Sequence, residues 1–358
     1  MSFIELDDGI GGTGRAAIGP LSDHADLLAS AADGAALPCI TDEHVWKLHG
    51  HLLKDIIAVD PIFVPRGEAA KQWNILISLI AALAARSHPR SRPFLALGGG
   101  SVGDVAGLAA ALYMRGTPVI QIPTTLLAQV DSAVGGKTAI DAEGQKNLVG
   151  TFHSPMLVLA DPALLATLDR RQMRAGAAEI VKYGMIADEG FFRWMEAHGE
   201  TVIAADAHAC AEAAQQCIRM KADAVAGDLR DEKGRRALLN FGHTFGHAFE
   251  SVAGLGTLLH GEAVAAGMVL ASQFAAATEY CAPDVPKRLV QLLDRLGLPT
   301  NLGALGLAGK GTTLLPHMLR DKKSDGRTAT LVLPERIGEA RLLRAVDEQR
   351  LRAFLELA

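Results

Sequence analysis

The feature that most constrains this chain is a change of periodicity near residue 170. Before it, short apolar runs alternate with helical patterns: LPCITD (37–42), a run near Ile57 to Pro65, an apolar helix over Glu68 to Arg86, FLALGGG (94–100), PVIQIP (118–123) and MLVLAD (156–161). Strands alternating with helices build an α/β layer whose sheet is largely parallel. After it the pattern is helical, as in RLVQLLDRLGLP, where Leu289, Leu292, Leu293 and Leu296 share one face. The strand ATLVLP (329–334) is the one late exception, and the first 35 residues carry little pattern. We therefore expect an N-terminal α/β domain with a Rossmann-like, mostly parallel sheet over 1–165, an all-α C-terminal domain over 166–358, and an active site in the cleft between them.

At 358 residues the chain is long enough for two cores. With 49% hydrophobic and 21% charged residues it is globular in composition, and its net charge of −5 offers no basic face for nucleic acid. The longest uncharged stretch, Ala263 to Thr278, is short for a membrane span, and the N-terminus lacks the basic and apolar regions of a signal peptide. A cytoplasmic protein is expected. Cys39, Cys210, Cys217 and Cys281 form no CxxC pair and read as reduced packing residues.

Three stretches carry chemistry. In GGGSVGDVAG, Gly98, Gly100 and Gly103 have the G-x-G-x-x-G spacing that brings backbone N–H groups and a helix start to a pyrophosphate. No acidic residue follows about 20 positions later to hold a ribose, so Asp42, at the end of the first strand, and Glu68 with Lys71 are the cofactor candidates elsewhere. The same loop would also serve as a plain strand-to-helix turn. In QIPTTLLAQVDSAVGGKTAIDAEGQKN, polar residues interrupt an apolar segment; Lys137, Lys146 and Asn147 on glycine-supported loops, with Arg115 and Lys182, suit a phosphate. In NFGHTFGHAFE and LLHGEAVAAG, His243 and His247 lie four apart on one helix face and His260 opens another helix. Glu179, alone in the apolar AGAAEIVKYG, is the acidic candidate to complete a divalent-metal site. The spacing leaves open which histidine is a ligand and which carries protons.

GGGSVGD, IPTTLLAQVDSAVGGKT, KNLVGTFHSP, AGAAEIVKYG, LLNFGHTFGHAFE and LHGEAVAAGM, in this order and spacing, resemble the 3-dehydroquinate synthase family of sugar phosphate cyclases over about residues 40 to 335. The resemblance implies a cytoplasmic homodimeric lyase of the shikimate pathway of aromatic amino-acid biosynthesis. It would use NAD and Zn2+, with Co2+ as a possible substitute, on a small sugar acid phosphate, with no nucleic-acid or membrane partner. It assigns Glu179, His243 and His260 to the metal and His247 to proton transfer. Lys137, Asn147, Asn240, His247 and Arg115 fall on the phosphate side, Arg115 reaching the partner subunit's site. Lys221 and Arg236 match a carboxylate-binding pair, and Lys146 and Asp131 face cofactor and substrate. Lys182, Glu232 and Lys322 match further active-site positions. Asp42, Glu68, Lys71, Gly98, Gly99, Gly100, Ser101, Asp104, Thr124, Thr125, Lys137, Lys146, Thr167 and Leu168 match the NAD side.

The sequence departs from the family pattern at His44 and Gln172, both beside cofactor contacts, and in the turn DLRDEKGRR. Related readings are a sister cyclase acting on sedoheptulose 7-phosphate or on an amino analogue, a metal- and NAD-dependent polyol dehydrogenase, and a non-enzymatic binding protein. Lys221 and Arg236 speak against sedoheptulose phosphate, which lacks a carboxylate, and Lys137, Lys146 and Asn147 against the dehydrogenase.

Overall fold

The computed structural model describes residues 3–7, 13–226, 236–254, 256–319 and 328–357. The chain divides into two compact units, Met1–Asp169 with Ala205–Glu232, and Arg170–Ala204 with Lys233–Ala358.

In the first unit the elements run β1 (Ile4–Asp7), β2 (Thr13–Ile18), α1 (Ala25–Ala32), β3 (Leu37–Thr41), α2 (Glu43–Lys54), β4 (Val59–Phe63), α3 (Trp73–Ala85), β5 (Phe94–Gly98), α4 (Gly100–Leu112), β6 (Val119–Pro123), β7 (Lys137–Ala142), β8 (Gln145–Phe152) and β9 (Leu157–Ala160). Among the described residues, seven strands form one sheet in the order β1-β2-β9-β6-β5-β3-β4. Only the β1–β2 pair is antiparallel. Every residue of β3, β5, β6 and β9 is buried, because helices cover both faces of a parallel sheet and leave no solvated side to alternate toward. Pro61 is tolerated in β4 because that strand forms an edge.

Three details differ from the sequence reading. The N-terminal residues, poor in pattern, supply β1, β2 and α1 and extend the sheet at its other edge. The helix expected over Glu68–Arg86 is a 3-10 turn, Gly67–Ala70, followed by α3; extended backbone at Gln72 separates them. The lysine-bearing stretch is a hairpin, not loops. β7 and β8 pair antiparallel around Glu143 and Gly144, both with positive φ, the backbone of a tight two-residue hairpin turn. Glutamate in that turn hides its usual Asn-Gly or Asp-Gly signature.

The helix α6 (Glu189–Ile203) belongs to the second unit and α7 (Ala207–Val225) to the first. Ile218 of α7 packs with Leu6, Ala16, Ala133, Val134 and Val158. The second unit otherwise consists of α5 (Arg170–Ala187), α8 (His243–Ala253), α9 (His260–Ala277), α10 (Asp284–Leu296), α11 (Leu315–Leu319), β10 (Thr328–Arg336), β11 (Glu339–Asp347) and α12 (Glu348–Leu355). Its described residues are thus helical apart from one hairpin, in which β10, the expected late strand, pairs with β11. The charges of EARLLRAVD masked that second strand.

The four leucines of α10 are all buried, as their spacing requires. Helix α9 is buried nearly all round, from Gly261 to Ala275, which marks it as the unit's core helix; among the described residues no helix is long and apolar enough to cross a membrane. All four cysteines are buried, and none forms a disulfide.

The close packing of α9 depends on glycine. A Cβ at Gly267 would lie 2.1 Å from the Gly242 carbonyl oxygen. In an unpacked helix interior Gly→Ala stabilises by about 1 kcal/mol. Here the sign is expected to reverse: Gly267→Ala lowers the melting temperature, whereas a gain in thermal unfolding would show that α8 and α9 are not this close.

Candidate metal centre and cofactor loop

Four helical positions of the second unit converge. Glu179 sits in the buried middle of α5, His243 opens α8 with His247 one turn on, and His260 opens α9. The convergence is possible because backbones meet. A Cβ at Gly261 would stand 1.9 Å from the Ala175 carbonyl oxygen of α5, and Gly242, the N-cap of α8, has a φ of +79°. The start of α9 is pinned further by Glu262, whose carboxylate accepts the Leu259 N–H at 2.9 Å and takes two hydrogen bonds from Arg171, at 2.6 and 2.8 Å.

Glu179 is wholly buried, and its two oxygens face different partners. Oε1 lies 3.7 Å from His243 Nε2 and 3.5 Å from His260 Nε2, while Oε2 lies 2.5 Å from Lys182 Nζ. His243 Nδ1 is 3.1 Å from the Phe241 carbonyl oxygen. A carbonyl only accepts, so the proton is on Nδ1 and Nε2 presents its lone pair toward Glu179. The donor atoms of Glu179, His243 and His260 all fall within 4.8 Å of one another. Ligands of a tetrahedral ion with bonds of roughly 2.0–2.1 Å are about 3.4 Å apart, so the group fits a divalent ion held by two imidazoles and a carboxylate. A second group, His247, Glu250 and His260, also lies within 4.8 Å, but His247 is exposed and both groups need His260.

The imidazoles respond in opposite directions to this environment. Burial pushes His243 down to about 3. Burial also opposes charge on His260, yet the facing carboxylates of Glu179 and Glu250 outweigh it and raise that ring to about 10. One carboxylate oxygen cannot neutralise two rings, and His260 alone lies between two carboxylates.

In the first unit a second cluster surrounds the glycine loop. Lys71, 3% exposed, donates to Asp104 Oδ2 at 2.7 Å and to Asn147 Oδ1, and lies 3.9 Å from Glu68; Ser101 Oγ donates to Glu68 at 3.4 Å. Burial lowers the Lys71 ammonium and is outweighed by Asp104 and Glu68, which raise it. The start of α4 is left without a side-chain cap, and a helix start whose first N–H groups have no capping side chain is what an anion site requires. The loop glycines serve approach rather than unusual φ: a Cβ at Gly99 would meet Thr125 at 2.9 Å, and one at Gly103 would meet Gln121 at 2.7 Å.

Sequence comparison bears on both clusters. Family models described as 3-dehydroquinate synthase N-terminal and 3-dehydroquinate synthase C-terminal match residues 61–175 and 176–324. The chain is 49% identical over 327 residues to the 3-dehydroquinate synthase of Rhodospirillum rubrum, covering 89% of this chain and 85% of the relative. The chain belongs to the 3-dehydroquinate synthase family. Among solved structures, 2-epi-5-epi-valiolone synthase of Streptomyces hygroscopicus subsp. jinggangensis, with NAD+ and Zn2+ bound, is 30% identical with a TM-score of 0.80 over 95% of each chain. A 2-deoxy-scyllo-inosose synthase complexed with carbaglucose-6-phosphate, NAD+ and Co2+ shares the fold, with a TM-score of 0.87 over the whole of both chains at 23% identity.

Seen against the family pattern, Glu68, Lys71, Ser101 and Asp104 are one cluster, joined by Asn147, which the resemblance had put on the phosphate side. Asp42 is the N-cap of α2, its Oδ1 accepting the N–H groups of His44 and Val45 at 2.9 Å each. His44 enters that cap through its backbone, so the departure from the family residue leaves the cap intact. Thr124 and Thr125 follow β6, its Thr124 N–H donating to the Gly98 carbonyl, and Thr167 Oγ1 lies 3.0 Å from His49 Nε2, next to Leu168. Lys137 begins β7 and is exposed, and Lys146 lies on β8. Lys221 Nζ is 2.9 Å from Asp131 Oδ1. Arg236 and Asn240 bound a 3-10 turn in the second unit, and Gln172 lies in the first turn of α5. Arg115 is exposed on left-handed backbone, φ 65° after Met114 at 49°. Glu232 and Lys322 lie outside the described residues. The residue that sequence reasoning missed is Glu250, although His243, His247 and Glu250 stand at i, i+4 and i+7 on one stripe of α8.

Burial pushes the Glu262 carboxyl up, but its hydrogen bonds from Arg171 and the Leu259 N–H prevail and hold it below its ordinary 4.5. The stabilisation is therefore present above 4.5 and lost as pH falls through the lower folded-state value. Glu262→Ala should cost about 1 kcal/mol at neutral pH, the worth of a helix cap, and urea unfolding of the two proteins should converge on acidification.

Proposed function

We propose that this chain converts 3-deoxy-D-arabino-heptulosonate 7-phosphate to 3-dehydroquinate and phosphate, the first unit binding NAD and the second the metal. The observation that carries this reading is the convergence of Glu179, His243 and His260 within 4.8 Å in a chain 49% identical to a 3-dehydroquinate synthase. The 30% identical valiolone synthase with NAD+ and Zn2+ bound supports the cofactor pair. When bound, NAD supplies a hydride acceptor regenerated within each turnover, and the divalent ion supplies Lewis-acid polarisation of the reacting hydroxyl and carbonyl.

The protein's own groups do the rest. Glu179 Oε1 and the two Nε2 atoms would hold the ion, and Lys182 neutralises the other carboxylate oxygen. Glu68, Lys71, Ser101 and Asp104 orient the cofactor. His247, exposed beside the triad, is suited to carry a proton to and from substrate oxygen. Lys137, Arg115 and Asn240 stabilise the departing phosphate dianion, while Lys221 and Arg236 bind the carboxylate that distinguishes this substrate from sedoheptulose 7-phosphate. The left-handed backbone at Met114 and Arg115 costs of order 1–3 kcal/mol per residue and projects the guanidinium outward. This favours the homodimer in which Arg115 serves the partner's site. The cell compartment that fits a bacterial biosynthetic enzyme of this kind is the cytoplasm.

The metal-loaded protein with catalytic NAD should release phosphate from the heptulosonate phosphate, form dehydroquinate and accumulate no NADH. Release only from sedoheptulose 7-phosphate would overturn the substrate, and stoichiometric NADH without phosphate would overturn the reaction. Lys137→Ala should lower phosphate release by about 10²–10³-fold, the cost of one oxyanion donor, while divalent-metal binding, measured by titration of the stripped protein, persists.

A further inference from the structure

Helix α8 presents a second buried carboxylate to the metal group. Glu250 is 4% exposed, and its Oε2 lies 3.6 Å from His260 Nδ1. The other nitrogen of the same ring, Nε2, lies 3.5 Å from Glu179 Oε1. His260 is thus bracketed, one carboxylate on each nitrogen. His243 is built the same way, its Nδ1 facing the Phe241 carbonyl oxygen at 3.1 Å and its Nε2 facing Glu179.

We propose that Glu250 is a positioning residue that accepts the Nδ1–H of His260, fixing the tautomer and aiming Nε2 at the ion. This rests on the metal reading above. The 3.6 Å separation is longer than a formed hydrogen bond, and a small rotation of the ring or carboxylate closes it. A ligand role for Glu250, through its group with His247 and His260, would take Nδ1 away from this partner. The Glu179 group is favoured for the ion because its carboxylate is wholly buried and both imidazoles turn Nε2 toward the same oxygen. Outer hydrogen bonds of this kind set ring orientation and ligand basicity, and their loss weakens metal binding by about 10–100-fold.

The test uses metal-stripped full-length protein, titrated with Co2+ against a competing chelator while the visible d–d spectrum is recorded. Glu250→Ala and the nearly isosteric Glu250→Met should bind Co2+ about 10–100-fold more weakly with the wild-type spectrum, and Glu250→Gln, which keeps an acceptor oxygen, should recover most of the affinity. Circular dichroism of the stripped proteins separates this from misfolding, and Glu250→Met decides if Glu250→Ala does not fold. Wild-type affinity in the variants overturns the role of Glu250 alone. A changed spectrum with equal loss in all three makes Glu250 a ligand and overturns positioning. Failure of the wild type to bind Co2+ overturns the metal reading and this inference with it.

Discussion

The second unit depends on a carboxylate that water cannot reach. Glu179 stands in a helix whose residues from Ala175 to Ile186 are all buried, where an uncompensated charge costs several kcal/mol. Lys182, one turn along and 1% exposed, answers one oxygen. The other is answered by two imidazoles, which are neutral unless protonated. Counting Glu250, the pocket's charges call for more positive charge than one ammonium supplies. A proton on His260 would meet that need in the bare protein and a divalent ion would meet it better, so the arrangement suited to an ion is also the one that lets α5 be buried. Packing follows from it: α8 and α9 must bring their first residues to Glu179, and the glycines at 242, 261 and 267 are what allow their backbones to approach.

This explains what could be read from the sequence. Interior strands such as FLALG and LVLA are legible because burial on both faces leaves an unbroken apolar run. The histidines are legible because helical spacing is periodic. Elements at the margin were not. β11 carries charges on an exposed edge, β8 is half exposed, and the turn between β7 and β8 uses Glu143 where the backbone calls for Asn, Asp or Gly. In each case tertiary pairing overrides weak local preference.

Side-chain roles that arise from pairing across long sequence distance were hidden for a different reason. Lys71 reads as a surface lysine near a helix start, and only folding brings Asp104 and Asn147 to it and buries it. Glu250 reads as an ordinary acidic residue after a histidine motif. Its i+7 relation to His243 was present in the sequence, but its partner, His260, lies on the next helix. Likewise the glycines were visible while their purpose was not, since an approach of Gly99 to Thr125 or Gly261 to Ala175 is a property of two segments.

The donor set also limits which ion the second unit can prefer. Magnesium and calcium take oxygen ligands, six or more in number, and Mg2+ keeps much of its water. Two imidazoles with a single carboxylate oxygen, the other oxygen committed to Lys182, suit a smaller coordination number and a borderline metal such as Zn2+ or Co2+. With Oε2 paired to Lys182, Glu179 would hold an ion through Oε1, a donor set that fits an open site. The exposed His247 stands beside this group, its ring 5.6 Å from His243 and 6.1 Å from His260. Lys182 thus does more than neutralise a buried charge: it occupies Oε2 and leaves Oε1 to face the two imidazoles.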